Sequence, residues 1–204
     1  MFSGLVREIA VVKGLKDNIL TLQAKYRPKI GDSIAVNGAC LTAIEILPDG
    51  FSLELSSHTQ KLIALENYKN RVHIEPALML SDRLDGHIVQ GHIDGVGEIC
   101  SIRKHENQVE FIICAPLEIL RFCIPKGSVC IDGISLTIAE VGKEDFKLVI
   151  IPHTFEHTLF HTYKPHRRVN IETDIFVRSI QHLMQKAESS KLGWEHFDKH
   201  TLGY

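Results

Sequence analysis

Asp32-Ser33-Ile34-Ala35-Val36-Asn37-Gly38-Ala39-Cys40-Leu41-Thr42 lies over Gly127-Ser128-Val129-Cys130-Ile131-Asp132-Gly133-Ile134-Ser135-Leu136-Thr137 at a shift of 95 residues. In each copy an Asn-Gly or Asp-Gly pair separates two short apolar runs, the pattern of a hairpin closed by a type I′ turn. The same shift sets Phe51 on Phe146, His58 on His153 and Thr59 on Thr154. Farther out, Arg71-Val72-His73-Ile74-Glu75 matches Arg168-Val169-Asn170-Ile171-Glu172 at 97, and Ser3-Gly4-Leu5 roughly matches Asp94-Gly95-Val96 at 91. Small changes of shift are loop insertions. A single repeat of this length is too long for a solenoid unit and fits two homologous domains.

Between the copies runs Asp85-Gly86-His87-Ile88-Val89-Gln90-Gly91-His92-Ile93-Asp94-Gly95-Val96-Gly97. Its glycines are costly in a helix, at about 1 kcal/mol each, and point to a tight bend that lets another backbone or a flat ligand come close. We place the domain boundary near Gly86, giving domains 1–86 and 87–174. Short runs rich in Ile, Val, Leu and Thr recur over this whole length, as in an antiparallel sheet or barrel. In the first copy they predict strands at 5–12, 19–22, 33–36, 41–46, 51–55 and 71–74. Residues 60–65 and 117–122 predict single short helices. Beyond Asp174 the period changes: Phe176, Ile180, Leu183, Met184 and Ala187 recur at helical spacing. One amphipathic helix over 175–190 is expected, with an apolar stripe that has no counterpart after the first repeat and is free to meet another subunit. The tail 191–204 shows no period.

With 44% hydrophobic and 24% charged residues, the chain has the apolar mass for a folded core. A formal charge of −2, with Lys and Arg scattered, argues against a nucleic-acid or membrane partner. No signal segment or membrane-length apolar run is visible, so a cytoplasmic protein is expected. Five cysteines without a Cys-x-x-Cys pair fit a reducing compartment, most of them as buried small hydrophobes.

Cys40-Leu41-Thr42 and Ser135-Leu136-Thr137 each put a nucleophile-sized polar atom and a hydroxyl two residues apart, on one face of a strand. Spacing alone fits two small residues inside a barrel better than it fits a site. His92, flanked by glycine, reads either as a bend former or as a general acid or base. His153, His157 and His161 have metal-like spacing. However, Pro152 and the run before it end a strand at His153, no carboxylate accompanies the set, and no metal site is expected. Phosphate-loop, dinucleotide and nucleophile-elbow motifs are missing from the sequence.

Taken together, Met1 to Val6, Val36 to Thr42, Gly86 to Gly95, Ile131 to Thr137, Ile151 to Thr154 and Val169 to Asp174 resemble the riboflavin synthase family of the duplicated-barrel, alpha type. The resemblance spans residues 1 to about 185. It implies an all-β chain of two tandem six-stranded Greek-key barrels followed by a trimerisation helix, in a homotrimer where unlike barrels of neighbouring subunits face each other. It implies dismutation of two 6,7-dimethyl-8-ribityllumazine molecules to riboflavin and 5-amino-6-(ribitylamino)uracil without a cofactor, and a functional link to lumazine synthase. One pteridine site would comprise Gly4, Leu5, Val6, Lys126, Ser135, Leu136, Thr137, Ile150, Ile151, Pro152, His153, Thr154 and Phe155. The other would comprise Cys40, Leu41, Thr42, Glu54, Leu55, Ser56, Ser57, His58, Thr59, Gly91, His92 and Ile93. Ser33, Cys40, His92, Lys126, Asp132, Ser135 and Asp174 fall on the family's catalytic or site-shaping positions, with His92 leading for proton transfer and Cys40 or Ser135 for nucleophilic attack. Ser56-Ser57-His58-Thr59 departs from the family's more usual Pro-Glu-Thr, which puts a carboxylate's role there in question. Lumazine proteins, which hold the same ring without turning it over, are the alternative, as is a purely structural dimerisation module.

Overall fold

Each hairpin turn has both central residues at positive φ, Asn37 (43°) with Gly38 (83°) and Asp132 (45°) with Gly133 (85°). That is the type I′ geometry whose twist matches paired strands. The computed structural model describes residues 1–187 of the chain. Strands β1 (Glu8–Lys16), β2 (Ile19–Gln23), β3 (Ser33–Val36), β4 (Ala39–Leu47), β5 (Gly50–Glu54) and β6 (Arg71–Pro76) close a barrel in the order β1-β2-β5-β4-β3-β6. Strands β7 (Gly95–Lys104), β8 (Val109–Cys114), β9 (Ser128–Ile131), β10 (Ile134–Val141), β11 (Asp145–Ile150) and β12 (Arg168–Thr173) close a second in the matching order. With β3, β4 and β5 in succession and β6 returning beside β3, each barrel is a Greek key. Short helices α1 (Ser57–Leu62), α2 (Leu117–Leu120) and α3 (Pro152–His157) cover barrel ends. Helix α4 occupies 175–187, so the last residues of the expected helix and the 191–204 tail lie outside the described residues.

Strand alternation fills each barrel. Leu20, Leu22, Ile34, Phe51, Leu53 and Leu55 pack the first, and Ile99, Phe111, Phe146, Leu148, Phe160 and Ile171 the second. Bulges recur at matched positions, between Ala43 and Glu45 and between Ile138 and Glu140, which carries the duplication down to backbone irregularities. The bulges at Val12/Gly14 and Ile99/Ser101 match at a shift of 87, which corrects the shift of 91 expected for the leading segments. Three further expectations change. His153 does not end a strand but sits in the first turn of α3, because Pro152 starts a helix well. Strand β1 begins later than expected, since residues 3–6 leave the barrel. Cys100 and Cys114 form a disulfide across β7 and β8, brought together by the bulge between Ile99 and Ser101, while Cys123 and Cys130 are buried thiols.

Residues 1–174 make one body. Its two repeats are joined by a reciprocal polar network. The Asn37 side chain accepts from the His73 amide (2.9 Å), and Asp132 from the Asn170 amide (2.8 Å). His73 Nδ1 meets the Asp132 carbonyl (3.0 Å) while Asn170 Nδ2 donates to the Asn37 carbonyl (2.8 Å). The Leu159 amide donates to His73 Nε2 (2.7 Å) and the Ala64 amide to Asn170 Oδ1 (2.7 Å). An Nε2 that accepts leaves the proton on Nδ1, so His73 is neutral, and burial lowers its pKa to about 4.

The unfolded chain, with an ordinary histidine value of 6.5, therefore binds the extra proton between these two values, and stability falls as pH drops through that window. The loss from His73 is on the order of 3 kcal/mol once pH is below the folded value. Glu75 and Asp132, raised chiefly by burial, act in the opposite sense. Comparison with His73→Asn, which copies the second repeat, isolates the histidine. Thermal melts should show the variant losing less stability than the parent from pH 7 to 5, and parallel acid profiles would contradict the assignment.

Candidate functional site

Two extended leading segments build the sites by crossing over. Residues 1–6, which lead into the first barrel, lie on the second, where the Ser135 amide donates to the Gly4 carbonyl (2.8 Å). Residues 87–93, which lead into the second barrel, lie on the first, where the Cys40 amide donates to the Gly91 carbonyl (2.9 Å). The segments pair with each other through Phe2 and Val89. Gly4 and Gly91 have φ of +76° and +80°, and a Cβ on Gly91 would stand 2.5 Å from the Cys40 Cβ, so glycine is required for this approach.

Two buried carboxylates clamp the segments. Glu75 accepts from the Ser3 amide and hydroxyl (both 2.7 Å) and the Gly4 amide (3.0 Å). Glu172 accepts from the amides of Gln90 (2.6 Å), Gly91 (2.8 Å) and His92 (3.0 Å). Glu75, at the end of β6, thus shapes the second barrel's site, and Glu172 that of the first. Both stand at matched positions of the repeat, which the sequence shows as a match at a shift of 97 without showing what the carboxylates bind.

In the first site a cavity of about 210 Å³ is lined by Cys40, His58, Thr59, Gly91, His92 and Ile93, with Ala39, Leu62 and Ile63. Cys40 is half-buried and His92 exposed at its rim. Leu41 and Leu55 do not face this cavity: strand alternation turns both into the core. Thr42 and Glu54 are exposed cross-strand partners, Ser33 pairs with Thr42 on β3, and Ser56 caps α1 through the Thr59 amide, with Ser57 following it.

The second site differs chemically. Ser135 Oγ lies 2.7 Å from Nδ1 of His87, a histidine outside the expected set. His87 is buried and its Nε2 has no protein partner. Burial lowers the imidazole pKa, and the nearby Asp174 charge works against that shift. Hydroxyl and imidazole therefore stand together within reach of a carboxylate's field, a pair able to hold or pass a proton. Val6, His153 and His157 line a groove beside it that Arg7, Lys25 and Tyr26 extend over the first barrel. His153 and His157 stack at 4.2 Å, whereas His161 turns to the Thr158 carbonyl, so the three do not converge. Thr137, Ile151 and Pro152 are exposed, and Leu5, Leu136, Thr154 and Phe155 are partly buried. Ile150 is core, and Lys126 is exposed with its amide on the Ile138 carbonyl. Asp132 departs most from expectation. Fully buried, with the Tyr163 hydroxyl (2.7 Å) and the Asn170 amide on its carboxylate, it pins a turn between the repeats instead of facing a site.

The lumazine binding domain family matches residues 3–77 and 90–174, one match per repeat. Riboflavin synthase of Photobacterium leiognathi is 34% identical over 100% of this chain and 99% of its own length. The chain belongs to the riboflavin synthase family. Riboflavin synthase of Mycobacterium tuberculosis strain H37Rv is 37% identical over 92% of this chain and 100% of its own length. Among solved structures, LumP complexed with riboflavin superposes with a TM-score of 0.76 at 20% identity, covering 85% of this chain and 99% of LumP. LumP complexed with 6,7-dimethyl-8-(1′-D-ribityl) lumazine gives 0.74 over the same shares. The riboflavin synthase family and this fold thus share the duplicated barrel.

Proposed function

We propose that the chain is a riboflavin synthase, which transfers a four-carbon unit between two 6,7-dimethyl-8-ribityllumazine molecules. The products are riboflavin and 5-amino-6-(ribitylamino)uracil. One observation carries this reading: two similar sites have unequal chemistry, a thiol at Cys40 in the first and the Ser135–His87 pair in the second. A reaction between two copies of one substrate needs two related places that treat them differently. The ring of one molecule stabilises the carbanion left when its 7-methyl group loses a proton, and a nucleophile adds to the ring of the other. Cys40, Ser135 or hydroxide supplies the nucleophile, and His87 and His92 move protons in this reading. Ser33, Lys126 and Asp174 remain with the polar set around the sites. The protein works in the cytoplasm, as domains 1–86 and 87–174, on substrate supplied by lumazine synthase.

Purified chain supplied with the lumazine alone, under excess chelator, is expected to form one riboflavin for about every two lumazines consumed. Stable binding without product would identify a fluorophore carrier of the LumP kind.

The same reading makes α4 the trimerisation helix, setting unlike barrels of neighbouring subunits face to face. Ile180, Leu183 and Met184 on its stripe are each more than half exposed. A chain ending before Phe176 should sediment as a smaller particle with both barrels folded and activity lost. A trimer in that variant would assign the contacts to the barrels.

A further inference from the structure

Away from both sites, the repeats meet along a cleft of about 230 Å³ lined by Lys69 and Arg71 of the first repeat and Arg167 of the second, with Asn67, Asn70 and Thr162 among them. Three cations line it and no carboxylate does, in a chain whose formal charge is −2. Arg167 is held from behind, its guanidinium 4.1 Å from the Tyr163 ring centroid and 3.8 Å from the buried Asp132 carboxylate. Its own Nε is buried without a hydrogen-bond partner. The other nearby carboxylate, Glu66, pairs with Arg168 at 3.3 Å. We propose that this cleft is an oxyanion site that takes a phosphate group, either inorganic phosphate or the phosphoryl end of a small ester.

A guanidinium fork offers two parallel donors to a phosphate, and a lysine adds a point charge. Amide and hydroxyl side chains between them can complete the oxygen shell. Both repeats contribute, so a bound phosphate ties them together at the junction that Asp132 and His73 hold from within. The cleft volume exceeds that of phosphate alone and leaves room for a few carbon atoms.

The test is titration of the full-length chain, saturated with riboflavin alone to fill the ring sites without turnover, with inorganic phosphate and separately with glycerol phosphate at constant ionic strength. Calorimetry should show one site per chain. Lys69→Gln with Arg71→Gln, which spares the partly buried Arg167 and its Asp132 contact, should weaken it by at least about tenfold, the usual size of a lost charge-assisted hydrogen bond. Preference for the ester would identify a phosphorylated metabolite, and equal or stronger binding of inorganic phosphate the free ion. Unchanged affinity in the double variant, or no saturable binding by the parent, would overturn the proposal. The two surface changes should leave the far-ultraviolet circular dichroism and the melting transition near those of the parent.

Discussion

His87→Gln is expected to turn lumazine over about a hundredfold to ten-thousandfold more slowly, the usual contribution of a positioned acid or base. Glutamine can keep the hydrogen bond to Ser135 but cannot exchange a proton, so lumazine affinity should stay within about a few-fold of the parent. The pH profile supplies the second readout. Burial lowers the His87 pKa, so the basic form persists through neutrality and the acid limb of kcat should lie below the ordinary histidine range. A variant with the parent's turnover at saturating lumazine would reduce His87 to a prop for the linker. His92→Gln is the matched comparison, because His92 stands at the rim of the other site. A deficit confined to one of the two would assign proton transfer to one barrel.

Glu75→Gln should damage the barrel that does not contain it. The carboxylate takes three hydrogen bonds from Ser3 and Gly4, and an amide group would turn an NH2 toward donors already pointing at it. Leaving one of these buried donors unsatisfied costs roughly 1 to 3 kcal/mol, here divided between the folded body and the placing of Gly4 beside Ser135. Lumazine titration should show weakened binding at the site containing Ser135, with the Cys40 site retained. Glu172→Gln should give the converse. Equal loss at both sites in either variant would mean that the carboxylates serve general stability alone.

The hairpins were legible because Asn-Gly and Asp-Gly are among the strongest short-range turn signals, and the duplicated barrel followed from their repetition. Strand starts slipped where residues 3–6 cross to the other barrel, since local pattern carries no record of which neighbour a segment will meet. His87 carries no local mark for a similar reason: its value rests on contact with Ser135, 48 positions away. Asp132 came from the family resemblance, as catalytic or site-shaping, and the Asp-Gly pair alone reads as a turn. Burial separated the two. The Cys100–Cys114 bond was hidden because cross-strand neighbours depend on a bulge that spacing does not reveal.

The crossed leading segments also give the chain an internal symmetry. Phe2 against Val89 and Gly38 against Gly133 repeat one arrangement on either side of an approximate twofold axis, while the matched Tyr68 and Tyr163 hydroxyls differ in acceptor, one on the Val36 carbonyl and the other on the Asp132 carboxylate. This is the signature of an isologous dimer, in which each partner lends its opening residues to the other. The arrangement is the one that two single barrels exchanging their opening residues would have if one chain tied them together. Covalent linkage lets the halves differ, His73 from Asn170 and Cys40 from Ser135, as two identical chains could not.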